Sequence, residues 1–279
     1  MSGIILDVRD LVVEYKPKKL RAKPHRALHG VSLSVAEGRT LGLVGESGSG
    51  KTTIGRAILG LAPIASGTIT FQGDDITRIS RQDRRKFSGD LQVIFQDPYT
   101  SLNPAMDVGD ILAEPLGVQG IARDAARRRV VTLLDRVGLP SSAINRQPNE
   151  FSGGQRQRIA IARALALDPK LIVCDEPVSA LDLTTQARVL DLLLEIQQDT
   201  GVAYLFISHD LDVVHHISHD VAVLYKGEIV ENGPAAEVTR TPQHPYTKQL
   251  LLASPVPDPT EQRIRRDQRL ALKSSLDAA

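Results

Sequence analysis

The 279-residue chain is 42% apolar and 24% charged, and its 34 Lys and Arg against 33 Asp and Glu leave a net charge of +1. That length admits one large domain or two small ones, and that balance excludes a global charge argument for nucleic acid or lipid headgroups. A single cysteine, Cys174, excludes an intramolecular disulfide and a cysteine metal cluster, and suits a reducing compartment. The N-terminal stretch MSGIILDVRD has no basic segment leading into a long apolar one, so no signal peptide is expected. No apolar run reaches a membrane span, so work at a membrane would be that of a peripheral subunit.

In chain order, IILDVRDLVVEY is β-branched and reads as one or two strands. Lys16–Arg26 follows, rich in basic residues and with two prolines, and reads as a loop. The alternation in VSLSVAEGRTLGLVG predicts a strand, a turn at Glu37–Gly38 and a buried strand Thr40–Val44. Gly45–Gly50 is a loop, and a helix is expected from Lys51 to Leu61. SGTITFQGDDI reads as a strand between glycine turns, and Leu91–Gln96 as a buried strand. DPYTSLNP breaks the pattern, after which Met106–Leu139 reads as helix, with Val130, Leu133, Leu134 and Val137 at helical spacing and Gly138 as the stop. FSGGQRQRIAIARA opens a further helix. Leu171–Glu176 is a buried strand, LTTQARVLDLLLEIQQDT a helix stopped by Gly201, AYLFIS a strand, and VAVLYKGEIVENG a strand pair. Alternating strands and helices predict an α/β fold with a mainly parallel sheet. The helix-only block near 99–157 reads as a subdomain, and the last forty or so residues as an extension. In that extension QRIRRDQRLALKSS is either an amphipathic helix or a solvated end.

Gly45–Thr52, GESGSGKT, matches G-x-x-x-x-G-K-[ST] between a strand and a helix. Backbone N–H groups of Glu46, Ser47, Gly48, Ser49, Gly50 and their neighbours can curl round phosphates. Lys51 can reach the terminal ones, and the hydroxyl of Thr52 suits Mg²⁺, with Thr53 next in line. Asp175 and Glu176 close an apolar strand, where ligands bind in parallel α/β sheets. Asp175 suits Mg²⁺, and Glu176 suits the positioning of attacking water. Gln96 and His209 each end an apolar strand, and Tyr15 ends the first one. Each taken alone reads as structural more readily than functional. His215, His216, His219 and His244 read as surface or packing residues.

The order is what joins these residues. The phosphate loop, Gln96, FSGGQ at Phe151–Gln155, LIVCDEP at Leu171–Pro177, SALD at Ser179–Asp182 and His209 together resemble the nucleotide-binding subunit of an ATP-binding cassette (ABC) transporter. The resemblance covers residues 4 to about 240 and departs from the usual pattern at Phe151, where the family has leucine. It implies a P-loop, RecA-like core at 1–98 and 158–240 with an antiparallel β edge, an inserted helical subdomain at 99–157, and a C-terminal extension at 241–279. It implies ATP and Mg²⁺ as cofactors. Tyr15 would stack on adenine, Gln96, Thr52 and Asp175 would face the metal, and Lys51, Glu176 and His209 would serve catalysis. Ser152, Gly153, Gly154, Gln155 and Asp182 would complete the nucleotide site of a second cassette. VIFQDPYTSLNP and TPQHPYTKQLLLASPVPDP are similar to ATPases of oligopeptide and dipeptide importers, in the form without C-terminal cluster cysteines. The implied partners are a second ATPase, commonly a different chain, two permeases and, indirectly, an extracytoplasmic solute-binding protein. The implied place is the cytoplasmic face of the cell membrane. Nickel importers and a phosphonate-degradation ATPase share parts of these signatures, so other solutes stay open. A nucleic-acid or ribosome-acting ABC protein lacks support, because the chain has neither a heptad insertion nor a second cassette. A GTPase is set aside for want of N-K-x-D, and an inactive cassette because Lys51, Asp175, Glu176 and His209 are all present.

Overall fold

A computed structural model describes residues 3–16, 24–253, 258 and 263–268. Most of the basic loop and of the C-terminal tail therefore lies outside the described residues, although 263–268 is helical. The chain forms two units, Met1–Ile79 with Leu205–Ala279, and Ser80–Tyr204.

The chain enters the first unit through β1 (Ile4–Tyr15), β2 (His25–Ala36), β3 (Thr40–Val44), α1 (Lys51–Ile58), β4 (Ile64–Phe71) and β5 (Asp74–Asp75). The second unit holds α2 (Arg81–Arg84), β6 (Leu91–Ile94), α3 (Pro98–Ser101), α4 (Val108–Val118), α5 (Arg123–Arg136), α6 (Gly153–Ala164), β7 (Leu171–Asp175) and α7 (Leu183–Thr200). The division falls within β8 (Ala203–Ser208). The chain then continues in the first unit through α8 (Leu211–Ile217), β9 (Asp220–Tyr225), β10 (Glu228–Pro234), α9 (Ala235–Arg240) and α10 (Pro245–Ala253).

In the first unit, β2-β1-β4-β5 form an antiparallel sheet. β1 is one strand, kept whole by a bulge. Leu6 and Val8 face the core, and so do Leu11 and Val13, which have the opposite parity. Strict alternation would expose one pair, and the register shift between Val8 and Leu11, with Asp10 at φ 48°, returns both to the same face. The N–H of Asp10, freed from the ladder, donates to the Ser32 hydroxyl at 2.9 Å. β2 begins at His25, inside the expected loop, because its first residues pair with the end of β1. Tyr15 faces His25, and Arg26 makes an ion pair with Glu14 at 2.8 Å. The second sheet of this unit has the order β10-β9-β3-β8, with β3 parallel to β9 and β10 returning antiparallel. Every residue of β3 and β8 is buried, as expected of strands covered on both faces.

In the second unit β6 and β7 run parallel, Leu91 opposite Leu171 and Ile94 opposite Cys174. Each stops short of the sequence-based expectation, β6 at Ile94 rather than Gln96 and β7 at Asp175 rather than Glu176. Burial pushes the Cys174 thiol up, with the Asp175 charge adding to it, so the thiol stays protonated. Between the two strands, residues 98–164 contain only helices and 3-10 turns. The expected helix Met106–Leu139 is two helices, broken at Gly120 (φ 77°). Leu112, Leu116, Val130, Leu134, Ile159 and Ile161 make its core. α7 buries Val189, Leu193 and Ile196 at helical spacing and ends on Gly201 at φ 67°, as its sequence indicates. Among the described residues no helix is long and apolar enough to cross a membrane.

Candidate functional site

In the first unit, β3 delivers Gly45 to the start of a loop that closes at Gly50, the N-cap of α1 (φ 112°). A side chain at Gly45 is impossible: its Cβ would lie 2.2 Å from the Leu224 carbonyl oxygen. The β9–β10 turn grips the loop again where Gly227 N–H donates to the Ser49 carbonyl at 2.9 Å. Glu46, Ser47 and Gly48 are exposed, whereas Ser49 is buried and its hydroxyl has no protein partner. Lys51 is 4% exposed, and its ammonium donates to the carbonyls of Gly45 at 2.7 Å and Glu46 at 2.9 Å. Thr52 and Thr53 follow, half-buried in the first turn of α1. A cation, an exposed glycine-containing loop and the positive end of a helix thus converge, which is what an oligophosphate requires. The orphaned Ser49 hydroxyl and the Cβ-free cradle at Gly45 fit such a group.

Two other expected residues lie in the same unit. His209 is exposed, immediately after β8, the neighbour of β3. Tyr15 is half-buried at the end of β1. Its partner strand β2 then runs beside the loop, since the Ala27 carbonyl lies 3.0 Å from where a Cβ on Gly50 would stand. His215 and His219 are occupied structurally. His215 Nδ1 is 2.8 Å from the Thr239 hydroxyl, and His219 Nδ1 accepts the Thr40 N–H at 3.0 Å. Burial, then the Arg39 charge, lowers the His219 pKa against a smaller pull from Asp220, which suits an acceptor nitrogen.

In the second unit, Asp175 ends β7 and Glu176 turns the chain at φ 49°. A left-handed glutamate costs of order 1–3 kcal/mol and persists only where its surroundings impose it. Gln96, two residues beyond β6, donates from Nε2 to Glu176 Oε2 at 3.3 Å and to the Ser179 hydroxyl at 3.5 Å. Ser179 in turn donates to the Glu176 backbone carbonyl at 3.1 Å. The carboxylate expected to position water and the amide expected to face the metal are therefore in contact. Sequence reasoning did not give Ser179 a role, although it opens the SALD stretch.

The FSGGQ stretch forms the start of α6. Ser152 is its N-cap and takes the Gln155 N–H at 3.3 Å, while the Gln155 side chain accepts the Ser152 N–H at 3.0 Å. The Gln155 amide thus closes a capping box. Phe151 is 4% exposed under the Arg146 guanidinium, 4.3 Å from the ring centroid, so its departure from leucine is absorbed in the core. Gly154 permits a close approach, since a Cβ there would lie 2.3 Å from Thr185 Cγ2. Thr185 belongs to α7, whose N-cap is Asp182; that carboxylate accepts the Thr185 N–H at 3.0 Å and hydroxyl at 2.7 Å, which hold its pKa down. So α6 and the Asp182 turn are packed together, within the unit that also holds the Gln96–Glu176 pair.

The ABC transporter family matches residues 28–179 of the chain. The chain belongs to that family. A second match, the oligopeptide/dipeptide transporter C-terminal region, covers residues 230–275 of this ABC cassette. The oligopeptide transport ATP-binding protein OppF of Salmonella typhimurium is 47% identical over 96% of the chain and 82% of its own length. The glutathione import ATP-binding protein GsiA of Escherichia coli is 51% identical over 94% of the chain but 43% of its own length. The oligopeptide transport ATP-binding protein OppD of Mycobacterium tuberculosis is 49% identical over 92% of the chain, again 43% of its own length. The cassette thus spans less than half of GsiA and OppD. Among solved structures, the dimeric cassette MJ0796 bound to ADP and Pi aligns with a TM-score of 0.73 at 27% identity, over 82% of this chain and 98% of that one. CbiO1 of Clostridium perfringens, part of the complex cbiONQ, aligns with a TM-score of 0.74 at 26% identity, over 96% of this chain and 99% of that one.

Proposed function

We propose that this cassette is the ATP-hydrolysing subunit of an importer for oligopeptides or dipeptides, working peripherally on the cytoplasmic face of the cell membrane. The observation that carries the ATPase reading is Lys51, held inside a solvent-open glycine loop by two loop carbonyls. The match of residues 230–275 to the oligopeptide/dipeptide region and the likeness to OppF support the solute class.

In this reading the loop Gly45–Thr53 binds the phosphates and Tyr15 stacks on the adenine. Thr52, Gln96 and Asp175 would hold Mg²⁺. Among the described residues no group of three or more His, Cys, Asp or Glu side chains is placed to hold a metal. When bound, the ion neutralises charge on the phosphate oxygens. Lys51 leaves the carbonyls of Gly45 and Glu46 for the terminal phosphates. Glu176 orients the attacking water and accepts its proton, His209 steadies the terminal phosphate, and Gln96 links that state to the helical residues 99–157. Ser152, Gly153 and Gly154, at the positive end of α6, face the terminal phosphate on a second cassette, with Gln155 and Asp182 shaping that surface. ATP then closes a two-cassette dimer beneath two permeases supplied by an extracytoplasmic solute-binding protein, with no role for nucleic acid. Residues 1–98 and 158–240 act as the ATP-binding core, 99–157 as the moving subdomain and 241–279 as the extension.

The test is uptake by the membrane complex purified around this chain, offered dipeptides, longer peptides, glutathione and nickel. ATP-dependent peptide uptake is expected. Uptake of nickel alone would overturn the solute class, and co-purification with nucleic acid and no permease would overturn the importer reading.

A further inference from the structure

The C-terminal region touches the phosphate loop through one hydroxyl. Tyr246, in the first turn of α10, is 1% exposed and lies 200 positions from its partner. Its hydroxyl accepts the backbone N–H of Glu46 at 2.8 Å. The carbonyl of the same peptide unit, that of Gly45, accepts the Lys51 ammonium at 2.7 Å. The Gly45–Glu46 peptide is trans, so its C=O and N–H point in opposite directions from one rigid plane. Tyr246 and Lys51 therefore hold that plane from its two ends. The positive charge on the carbonyl also polarises the amide and strengthens its bond to the phenol.

Tyr246 is itself firmly placed. Its ring packs on Tyr225, centroids 4.2 Å apart and planes tilted by 36°, on the strand whose Leu224 carbonyl abuts Gly45. Its own N–H donates to His244 Nδ1 at 3.2 Å. The start of α10 is tethered to β10, because Glu231 accepts the N–H of Gln243 at 2.7 Å and of His244 at 3.1 Å. The chain of support runs from β10 through Glu231 to α10, then through Tyr246 to the peptide on which Lys51 rests.

From this geometry we infer that Tyr246 is a positioning residue for the nucleotide site, orienting the Gly45–Glu46 peptide so that Lys51 stands ready for phosphate. It makes no contact with the nucleotide. The residues matched to the oligopeptide/dipeptide C-terminal region are thereby part of the support of the ATP site. The inference rests on the proposed phosphate-loop reading.

The experiment titrates the full chain with Mg²⁺ and a non-hydrolysable ATP analogue. Tyr246→Phe keeps the ring and its packing and removes one acceptor, leaving the Glu46 N–H without its partner. Affinity falls about tenfold, KM for ATP rises in step, and kcat at saturating ATP holds. In the unmodified chain the Glu46 amide exchanges slowly with solvent despite the exposure of its residue, and in Tyr246→Phe it exchanges fast. The exchange measurement on the unmodified chain needs no variant, so a Tyr246→Phe protein that fails to fold leaves the inference open to refutation. A fast-exchanging Glu46 amide in the unmodified chain overturns it. So does unchanged affinity in Tyr246→Phe where Lys51→Ala has lost binding. Binding retained by Lys51→Ala instead overturns the phosphate-loop reading itself.

Discussion

Lys51 and Glu176 carry separable predictions because they stand at different points of the chemistry. Lys51→Ala removes the cation at the centre of the loop, whose ammonium now rests on two carbonyls. Loss of one such charge-stabilising donor costs about 10²–10³-fold in turnover, so ATPase activity should fall at least that far. Glu176→Gln keeps the shape that Gln96 meets at 3.3 Å and removes the carboxylate proposed as the base. ATP should still bind while hydrolysis slows by about 10²–10⁴-fold, and gel filtration with ATP should show a longer-lived dimer. A fully active, monomeric Glu176→Gln protein is the result that would sink this assignment. Lys51 and Glu176 were legible in the sequence because their motifs are local, each set by a strand end and the few residues after it. Tyr246 was not. It bears on Glu46 from 200 positions away, and nothing in HPYT, read along the chain, shows which backbone amide its hydroxyl meets. Ser179 was visible only as one letter of SALD until the left-handed turn at Glu176 brought its hydroxyl under that carbonyl.

At the scale of elements, the first turns of α6 and α7 are fitted to each other through the missing side chain of Gly154. An added Cβ would meet Thr185 Cγ2 at 2.3 Å, and Thr185 cannot turn away without giving up its hydroxyl bond to Asp182. Gly154→Ala should therefore cost about 1–3 kcal/mol by overpacking. Thr185→Ser, which deletes the clashing methyl and keeps the hydroxyl, should restore most of it; chemical denaturation of the single and double variants decides. A second element-scale prediction concerns pH. Burial raises the Glu231 pKa, but the N–H groups of Gln243 and His244, with the charge of His244 beside them, outweigh it and leave it below its ordinary 4.5. A carboxyl with a depressed folded pKa stabilises the fold fully above its unfolded value and loses that contribution as pH falls through the folded one. Melting temperatures of the unmodified chain and Glu231→Gln should differ at neutral pH and converge as pH falls below the ordinary glutamate range. A constant gap would show that the carboxylate is not the tether. Helices and strands were read correctly where period and caps agreed, as in α7. The reading failed where a partner strand decided the outcome: β2 starts at His25 because β1 is there to pair with it, and Pro24 with a run of basic residues hid that start.

At the scale of the molecule, the chain carries two devices suited to phosphate, and only one holds a lysine. The loop before α1 has Lys51 on its own carbonyls. The start of α6 has a serine cap, two glycines and a helix dipole, with its glutamine closed into the capping box. A device that can attract a phosphate group but not neutralise it is incomplete alone and makes sense against the nucleotide of another cassette. The solved relative bound to ADP and Pi is a dimer, which supports that arrangement. The consequence is an asymmetry between binding and turnover. Ser152→Ala keeps Lys51 and its loop intact, so the affinity of the isolated chain for an ATP analogue should stay within about twofold, because no contact of that loop changes. The same variant loses the hydroxyl cap and loosens the α6 terminus, at about 1 kcal/mol of helix stability. It should then depress ATPase activity and ATP-driven dimer formation in the assembled complex by tenfold or more. Measuring both in one preparation separates the two readings of the stretch. Equal loss of binding and turnover would make FSGGQ part of the chain's own site, whereas loss of turnover alone places it on the face offered to a partner.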